Sequence, residues 1–326
     1  MTLRQGDYRA PRWLRSAHAQ TIYPALLRRR ASHYRRQRID TPDGDFIDFD
    51  WLDDGGPASA PLVVLLHGLE GGGASHYVAS LMWRLRQSEW RGVVPHFRGC
   101  SGEPNRLPRA YHSGDHAEVG WILSQVHAQA GDAPVFVVGV SLGGSALLNW
   151  LGREGARASR YVAAAAAVSA PLDLTAAGVA IEQGFSKFYS RLFQHTLVPK
   201  ALAMARRFPG MLDASIIRRV RTMYAFDDAV TAPLHGFAGT DDYWSRGSSK
   251  PWLRHIEVPT LVLNARNDPF IPAASLPGAN DVGSGVLLEQ PEHGGHAGFV
   301  AGPLPGNLDW LPMRLVSFFR THGRVR

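Results

Sequence analysis

Residues 134–144 of this 326-residue chain read PVFVVGVSLGG. The first seven residues form a continuous apolar run, which is typical of a strand buried on both faces of a sheet. Gly139-Val140-Ser141-Leu142-Gly143 then follows the pattern G-x-S-x-G, and 144–154 has helical spacing of apolar residues. A serine between strand and helix, flanked by glycines, predicts a tight turn that projects the hydroxyl out of the sheet as a nucleophile. A glycine-rich turn without a catalytic role is the alternative.

Buried strands and helices alternate along much of the remaining chain. Strands are predicted at 45–52, 61–66, 92–97, 162–170, 259–265 and 285–290. Helices are predicted at 76–87, 115–130 and 308–322. Residues 45–52 alternate apolar and acidic side chains, as a half-buried strand does. This alternation predicts an α/β fold with a mostly parallel sheet flanked by helices.

Residues 171–254 interrupt this alternation. They show helical patterns around 178–196, 199–207 and 213–225 and no buried strand. Helices inserted between two strands predict a cap over the edge of the sheet. The expected organisation is an arm at 1–40 packed on the body, a core at 41–170 and 255–326, and a helical cap at 171–254.

Positive charge is concentrated at the N-terminus. The net charge is +7, yet residues 1–38 contain ten arginines and a single acidic residue, Asp7. Trp13, Leu14 and Ile22 are interleaved with the arginines, which predicts that the arm packs along the domain. Contact with an anionic lipid surface is the sharper alternative. No RNA- or DNA-binding motif is present, so a nucleic-acid partner is not expected.

A second glycine-rich segment, HGLEGGG at 67–73, directly follows the strand predicted at 61–66. It matches neither GxGxxG nor GxxxxGK[ST], so nucleotide binding is not expected. In a fold with a G-x-S-x-G turn, the loop in this position supplies a backbone donor for an oxyanion. We therefore predict an oxyanion hole formed by the N–H groups of Leu69 and Leu142.

The nucleophile needs a base and an acid, and both have candidates after later strands. Asp268 lies in Asn267-Asp268-Pro269 after 259–265, and His296 lies in a glycine-rich loop after the last strand. The order Ser141, Asp268, His296 is the order of the α/β-hydrolase triad. Asp173 remains the alternative acid and His293 the alternative base.

Several classes of function are not expected from this sequence. The chain has no HExxH, HxHxD or paired-thiolate pattern, so we predict neither a metal nor a cofactor. Cys100 is the single cysteine, lies in a loop and is expected to be inert. No apolar run reaches membrane-spanning length, and the N-terminus has no apolar signal region, so a cytoplasmic location is expected.

The chain resembles the YheT-like α/β hydrolases, a bacterial group related to ABHD-type lipases. The resemblance covers nearly the whole chain and rests on His18-Ala19-Gln20-Thr21, HGLEG at 67–71, FRGCSG at 97–102, GVSLGG at 139–144, PLDL at 171–174, FDD at 226–228, NDPF at 267–270 and GGHAGF at 294–299. It implies an α/β-hydrolase fold and hydrolysis of carboxylic esters with short to medium acyl chains.

These observations predict a serine esterase that takes a small-molecule acyl ester through a Ser-His-Asp triad. Alcohol acyl transfer or thioester cleavage by the same triad stays open, as does a non-catalytic binding module on this scaffold. Some apolar cap residues are expected to line an acyl pocket. The candidates are Phe185, Phe188, Tyr189, Leu192, Phe193, Met204, Phe208, Met211 and Met223.

Overall fold

The structure is a computed structural model that describes residues 3–27, 32–52 and 54–322. Its centre is a nine-stranded sheet. The strands are β1 (Leu3–Arg4), β2 (Tyr34–Asp40), β3 (Phe46–Leu52), β4 (Leu62–Leu66), β5 (Arg91–Pro95), β6 (Val135–Val140), β7 (Ala164–Val168), β8 (Thr260–Leu263) and β9 (Val286–Glu289). Their spatial order is β1-β9-β8-β7-β6-β4-β5-β3-β2. Strand β3 is antiparallel to β2 and β5, and the other pairs are parallel, which confirms the predicted fold class.

Helices cover both faces of the sheet. Within the described ranges they are α1 (Ala17–Ile22), α2 (His76–Gln87), α3 (His116–Ala130), α4 (Leu142–Glu154), α5 (Leu174–Ile181), α6 (Lys187–Arg207), α7 (Ala214–Ile217), α8 (Met223–Phe226), α9 (Ala232–His235), α10 (Thr240–Gly247) and α11 (Trp310–His322). Alternate residues of β4 enter two cores. Leu62, Val64 and Leu66 pack with α3 and α4. Val63 and Leu65 pack with α2 and α11. This is why the strand is apolar at every position.

Strand β3 departs from the half-buried strand that its alternating pattern predicts, because all seven of its residues are buried. Arg38 and Arg36 on β2 pair with Asp48 and Asp50, with Nε–Oδ1 distances of 2.8 and 2.7 Å. Burial acts to raise the pKa of Asp50, but hydrogen bonds from Arg36 and His96 outweigh it and lower that pKa. Two arginines of the predicted arm therefore belong to an edge strand of the sheet, where their charge is neutralised.

The chain between β7 and β8 contains six of the described helices, α5 to α10. Helix α6 runs without a break through Pro199, where the sequence predicts two helices. Leu197 and Ala201, on either side of the proline, are buried in one apolar cluster with Ala205. This packing keeps the helix continuous although Pro199 lacks an N–H donor. The predicted helix at 213–225 is instead two short helices, α7 and α8.

Candidate active site

Ser141 lies in the turn between β6 and α4 and has φ 54° and ψ −122°. A non-glycine residue at positive φ is strained and is held there only by its surroundings. The neighbouring glycines explain how the turn closes. A Cβ added at Gly139 would lie 2.5 Å from the carbonyl oxygen of Gly143, and one at Gly143 would lie 2.4 Å from that of Leu66. The turn therefore excludes side chains at both positions and presents Ser141 at the end of the sheet.

The structure brings together the three predicted triad side chains. Nε2 of His296 is 2.9 Å from Oγ of Ser141, and Nδ1 of His296 is 2.8 Å from Oδ2 of Asp268. The Asp268 side chain is fully buried. Its other oxygen, Oδ1, accepts a hydrogen bond from the N–H of Phe270 at 2.8 Å. Since a carboxylate oxygen only accepts, Nδ1–H of His296 donates to it, which leaves Nε2 free to accept the serine proton.

The two reserve residues lie in other contacts. Nδ1 of His293 is 3.4 Å from Nδ2 of Asn267. Oδ1 of Asp173 accepts a hydrogen bond from the N–H of Ala176 and caps α5. Asp173 is therefore the N-cap of α5, a position in which aspartate is a favoured residue. The geometry favours His296 and Asp268 over both alternatives.

The loop that follows β4 lies directly against the serine. A Cβ added at Gly68 would lie 3.1 Å from Cβ of Ser141. The N–H of Gly68 donates to Tyr77, that of Glu70 donates to Tyr111, and that of Gly71 donates to the carbonyl of Gly68. Among loop residues 68–71, the amide left without an acceptor in the described part of the chain is that of Leu69.

The second predicted donor, Leu142, is the first residue of α4. The N–H groups of the first helical turn have no acceptor within the helix. Leu69, Leu142 and Ser141 all line the same cavity. Both predicted donors therefore lie at the cavity that contains Ser141, and their role as an oxyanion hole stays a prediction.

Glu70 helps to hold the loop of Leu69 in place, a role that was not predicted from the sequence. It has φ 54°, and its carboxylate accepts hydrogen bonds from Tyr111 Oη at 3.0 Å and from Lys200 Nζ of α6 at 2.9 Å. These contacts fasten the loop of Leu69 to the helical region between β7 and β8. No local pattern marks Glu70 for this role, because Tyr111 and Lys200 are distant in sequence.

Two residues of α1 hold the loop that carries the histidine. The side chain of Gln20 is buried, and its Oε1 accepts hydrogen bonds from Gly294 N–H at 2.8 Å and from Nδ2 of Asn267 at 3.1 Å. Oγ1 of Thr21 accepts a hydrogen bond from the N–H of His296 at 3.0 Å. Gln20 thus joins the loops of Asp268 and His296. In the sequence, Gln20 and Thr21 are marked only by the family motif His18-Ala19-Gln20-Thr21, and nothing there indicates that they contact the loop of His296.

We expect Gln20→Met to lower kcat by roughly 10–100-fold with little change in KM. The variant keeps the side-chain volume but leaves two donors without an acceptor, and displacement of a catalytic group by about 1 Å costs roughly 10²-fold in rate. Gln290→Met is the matched control, since Gln290 is also buried and donates to Pro277 O at 2.7 Å. Both variants should lose thermal stability. Equal kcat in both would show that Gln20 does not position His296.

A cavity of about 670 Å³ opens onto Ser141 and His296. Of the nine cap residues predicted for an acyl pocket, four line it: Phe193, Met204, Phe208 and Met223. Others face solvent, among them Phe185, Phe188, Leu192 and Met211.

Two titratable groups in the cavity wall have pKa values that burial raises. The pKa of Asp227 is raised to about 6 and that of Cys100 to about 12. The Cys100 thiol therefore stays protonated at neutral pH.

In residues 3–27, 32–52 and 54–322, no group of three or more His, Cys, Asp or Glu side chains is arranged to hold a metal ion. None of the helices in those ranges is long and apolar enough to cross a membrane.

The sequence pattern of the α/β-hydrolase fold matches residues 61–303. The chain is 39% identical to a protein of Escherichia coli (strain K12) named "Putative esterase YheT", over 94% of this chain and 91% of that protein. It is 28% identical to mouse phospholipase ABHD3, over 92% of this chain and 74% of that protein. A solved esterase of Pyrococcus furiosus superposes with a TM-score of 0.56 at 15% identity, covering 89% of this chain and 93% of the other.

Fold and site together define an α/β hydrolase, an enzyme class in which the loops at the carboxyl ends of the strands carry the catalytic groups. The chain belongs to the YheT-like group of the α/β-hydrolase family.

Proposed function

We propose that the protein is a serine carboxylic-ester hydrolase that acts on short- to medium-chain acyl esters. The observation that carries this proposal is the chain of hydrogen bonds Ser141–His296–Asp268, at 2.9 and 2.8 Å, in the wall of a mostly apolar cavity. An esterase and a phospholipase among the relatives support the same chemistry.

In the proposed mechanism, Ser141 attacks the ester carbonyl while Nε2 of His296 takes its proton. The N–H groups of Leu69 and Leu142 stabilise the oxyanion, and such a donor is typically worth about 3–4 kcal/mol in the transition state. His296 then protonates the leaving alcohol. Water hydrolyses the acyl-enzyme, with His296 again acting as base and Asp268 stabilising the imidazolium.

The acyl chain would occupy the apolar part of the cavity. The helical region contributes Ile181, Phe193, Leu197, Met204, Phe226 and Val230 to its wall. A series of p-nitrophenyl esters from C2 to C16 should show kcat/KM rising from acetyl to a medium chain length, because each buried methylene adds apolar area. Strict preference for acetyl would contradict an apolar acyl site.

Experiments can separate ester hydrolysis from acyl transfer, from thioester cleavage and from a non-catalytic binding role. Product analysis with added ethanol distinguishes hydrolysis from acyl transfer, and acyl-thioester substrates test for a thioesterase. A fluorophosphonate probe should label Ser141, because the probe reacts with a serine activated by a base. Absence of labelling together with absence of ester turnover would favour the non-catalytic binding module.

Contact between the basic arm and a lipid surface also remains a proposal, but fewer arginines of the arm are available for it than the sequence suggests. Arg36 and Arg38 form ion pairs within the sheet, and Arg28–Arg30 lie outside the described residues. A cytoplasmic location and the division into arm, core and cap likewise remain proposals.

A further inference from the structure

Helix α6 exposes large apolar side chains on its outer face. Phe188 and Leu192 are 54% and 55% exposed, and Phe185, just before the helix, is 54% exposed. Phe188 and Leu192 are one helical turn apart, so they lie on the same face. The rings of Phe185 and Phe188 have centroids 5.9 Å apart. These three side chains form one contiguous apolar patch and are not isolated apolar residues scattered over the surface.

Helix α1 extends this patch. The His18 ring lies 4.7 Å from that of Phe185, and Nδ1 of His18 is 3.3 Å from Oη of Tyr189. Ile22 follows His18 by one helical turn and is exposed, as is Leu26 in the turn after the helix. We call Phe185, Phe188, Leu192 and Ile22 the apolar rim.

The segments that carry the apolar rim have only basic charges. Helix α6 contains no acidic residue, and its first two turns carry Lys187 and Arg191; Lys200, further along the helix, is paired with Glu70. Residues 8–27 likewise contain Arg9, Arg12 and Arg15 and no acid. Lys187 and Arg191 are exposed and alternate with Phe188 and Leu192 along the helix. Glu182, just before these residues, accepts hydrogen bonds from Ser190 Oγ and Met223 N–H.

The inner face of the same helix reaches the site. Tyr189 and Phe193 have ring centroids 4.8 and 6.4 Å from that of Phe270. The Phe270 ring in turn lies 4.3 Å from the imidazole of His296. Phe193 and Phe270 both line the cavity. One helix therefore separates the exposed patch from the cavity that contains Ser141.

We propose that the apolar rim docks on an anionic lipid surface and places the cavity where an ester lipid can enter. Exposed aromatic and aliphatic side chains enter the boundary between headgroups and acyl chains, while Lys187 and Arg191 meet anionic headgroups. Apolar burial and charge attraction are both required, which distinguishes this surface from a purely basic arm. The docking stands on the surface alone, and the delivery of substrate rests on the proposed function.

Flotation with vesicles tests the docking. The full chain should bind vesicles of phosphatidylglycerol and phosphatidylcholine, and binding should weaken in pure phosphatidylcholine and at high salt. The double variant Phe188→Ser/Leu192→Ser should lose at least about tenfold in vesicle affinity, and Lys187→Gln/Arg191→Gln should lose its preference for anionic lipid. Met313→Ser is the matched control, because Met313 is 50% exposed on α11. It should bind like the unaltered protein.

Turnover of a soluble short-chain ester and labelling of Ser141 should be unchanged in all three variants. If these fail in the unaltered protein while vesicles still bind, the proposed function is wrong and the docking stands. Absence of vesicle binding, or equal loss in the Met313 variant, overturns the docking. A stable dimer in solution that becomes monomeric in Phe188→Ser/Leu192→Ser also overturns it, because a second copy would then cover the rim.

Discussion

Ser141→Ala is expected to lower kcat for ester hydrolysis by about 10⁴-fold or more. The methyl group cannot attack a carbonyl, so no acyl-enzyme forms, and only binding and the oxyanion donors still assist water. KM should change little, since the cavity walls are unaltered. Steady-state kinetics with p-nitrophenyl butyrate measure both parameters. Labelling by a fluorophosphonate probe should disappear in the same variant.

Ser145→Ala is the matched control for this prediction. Ser145 lies four residues further along α4, is buried, and donates a hydrogen bond to the carbonyl of Pro171. Its replacement should lower stability and leave kcat within a few-fold of the unaltered protein. Ser141→Ala should remain folded by circular dichroism. Turnover retained by the folded Ser141→Ala variant would remove the assignment of the nucleophile.

Asp268→Asn is expected to lower kcat by roughly 10³–10⁴-fold, as loss of the orienting carboxylate does in triads of this type. The local hydrogen bonds explain the size of the effect. The N–H of Phe270 needs an acceptor, so the amide oxygen of the new asparagine should stay on it. The NH₂ group then faces Nδ1 of His296 as a donor. The imidazole proton must move to Nε2, and the ring can no longer accept the proton of Ser141.

Asp173→Asn separates the two candidate acids. Asp173 caps α5, and asparagine caps a helix about as well as aspartate, so this variant should keep both its fold and its kcat. Steady-state kinetics of the two variants side by side decide the assignment. Loss of activity in Asp173→Asn with activity retained in Asp268→Asn would transfer the role of acid to Asp173.

The interior of the fold was predictable because its patterns are local. The apolar run at 134–140 requires a strand that is buried on both faces. The glycines around Ser141 are required where a strand turns tightly into a helix. Helices α2 and α3 match the predicted 76–87 and 115–130 within one residue. Strand β7 is a run of alanines and a valine, a composition that favours helix by propensity. The alternation of strands and helices along the chain nevertheless predicts a strand at this position. Strands and helices alternate because helices must cover both faces of a buried sheet.

The edges of the sheet were not predictable in the same way. Strand β2 has the sequence YRRQRID, which has no apolar face and therefore reads as an arm. It is a strand because Arg36 and Arg38 meet Asp50 and Asp48 on β3. Strand β1 has two residues and pairs with β9, and so short a segment has no periodicity to detect.

The sequence by itself determined the class of fold and the candidates Ser141, Asp268 and His296, because strand-end loops and tight turns impose requirements that neighbouring residues reveal. Only the tertiary structure shows that His296 and Asp268, and not His293 and Asp173, lie in one chain of hydrogen bonds with Ser141. It also placed Gln20, Thr21 and Glu70 around the site. The physical reason is that a hydrogen bond between residues far apart in the chain depends on how the elements pack, and no local pattern records that packing.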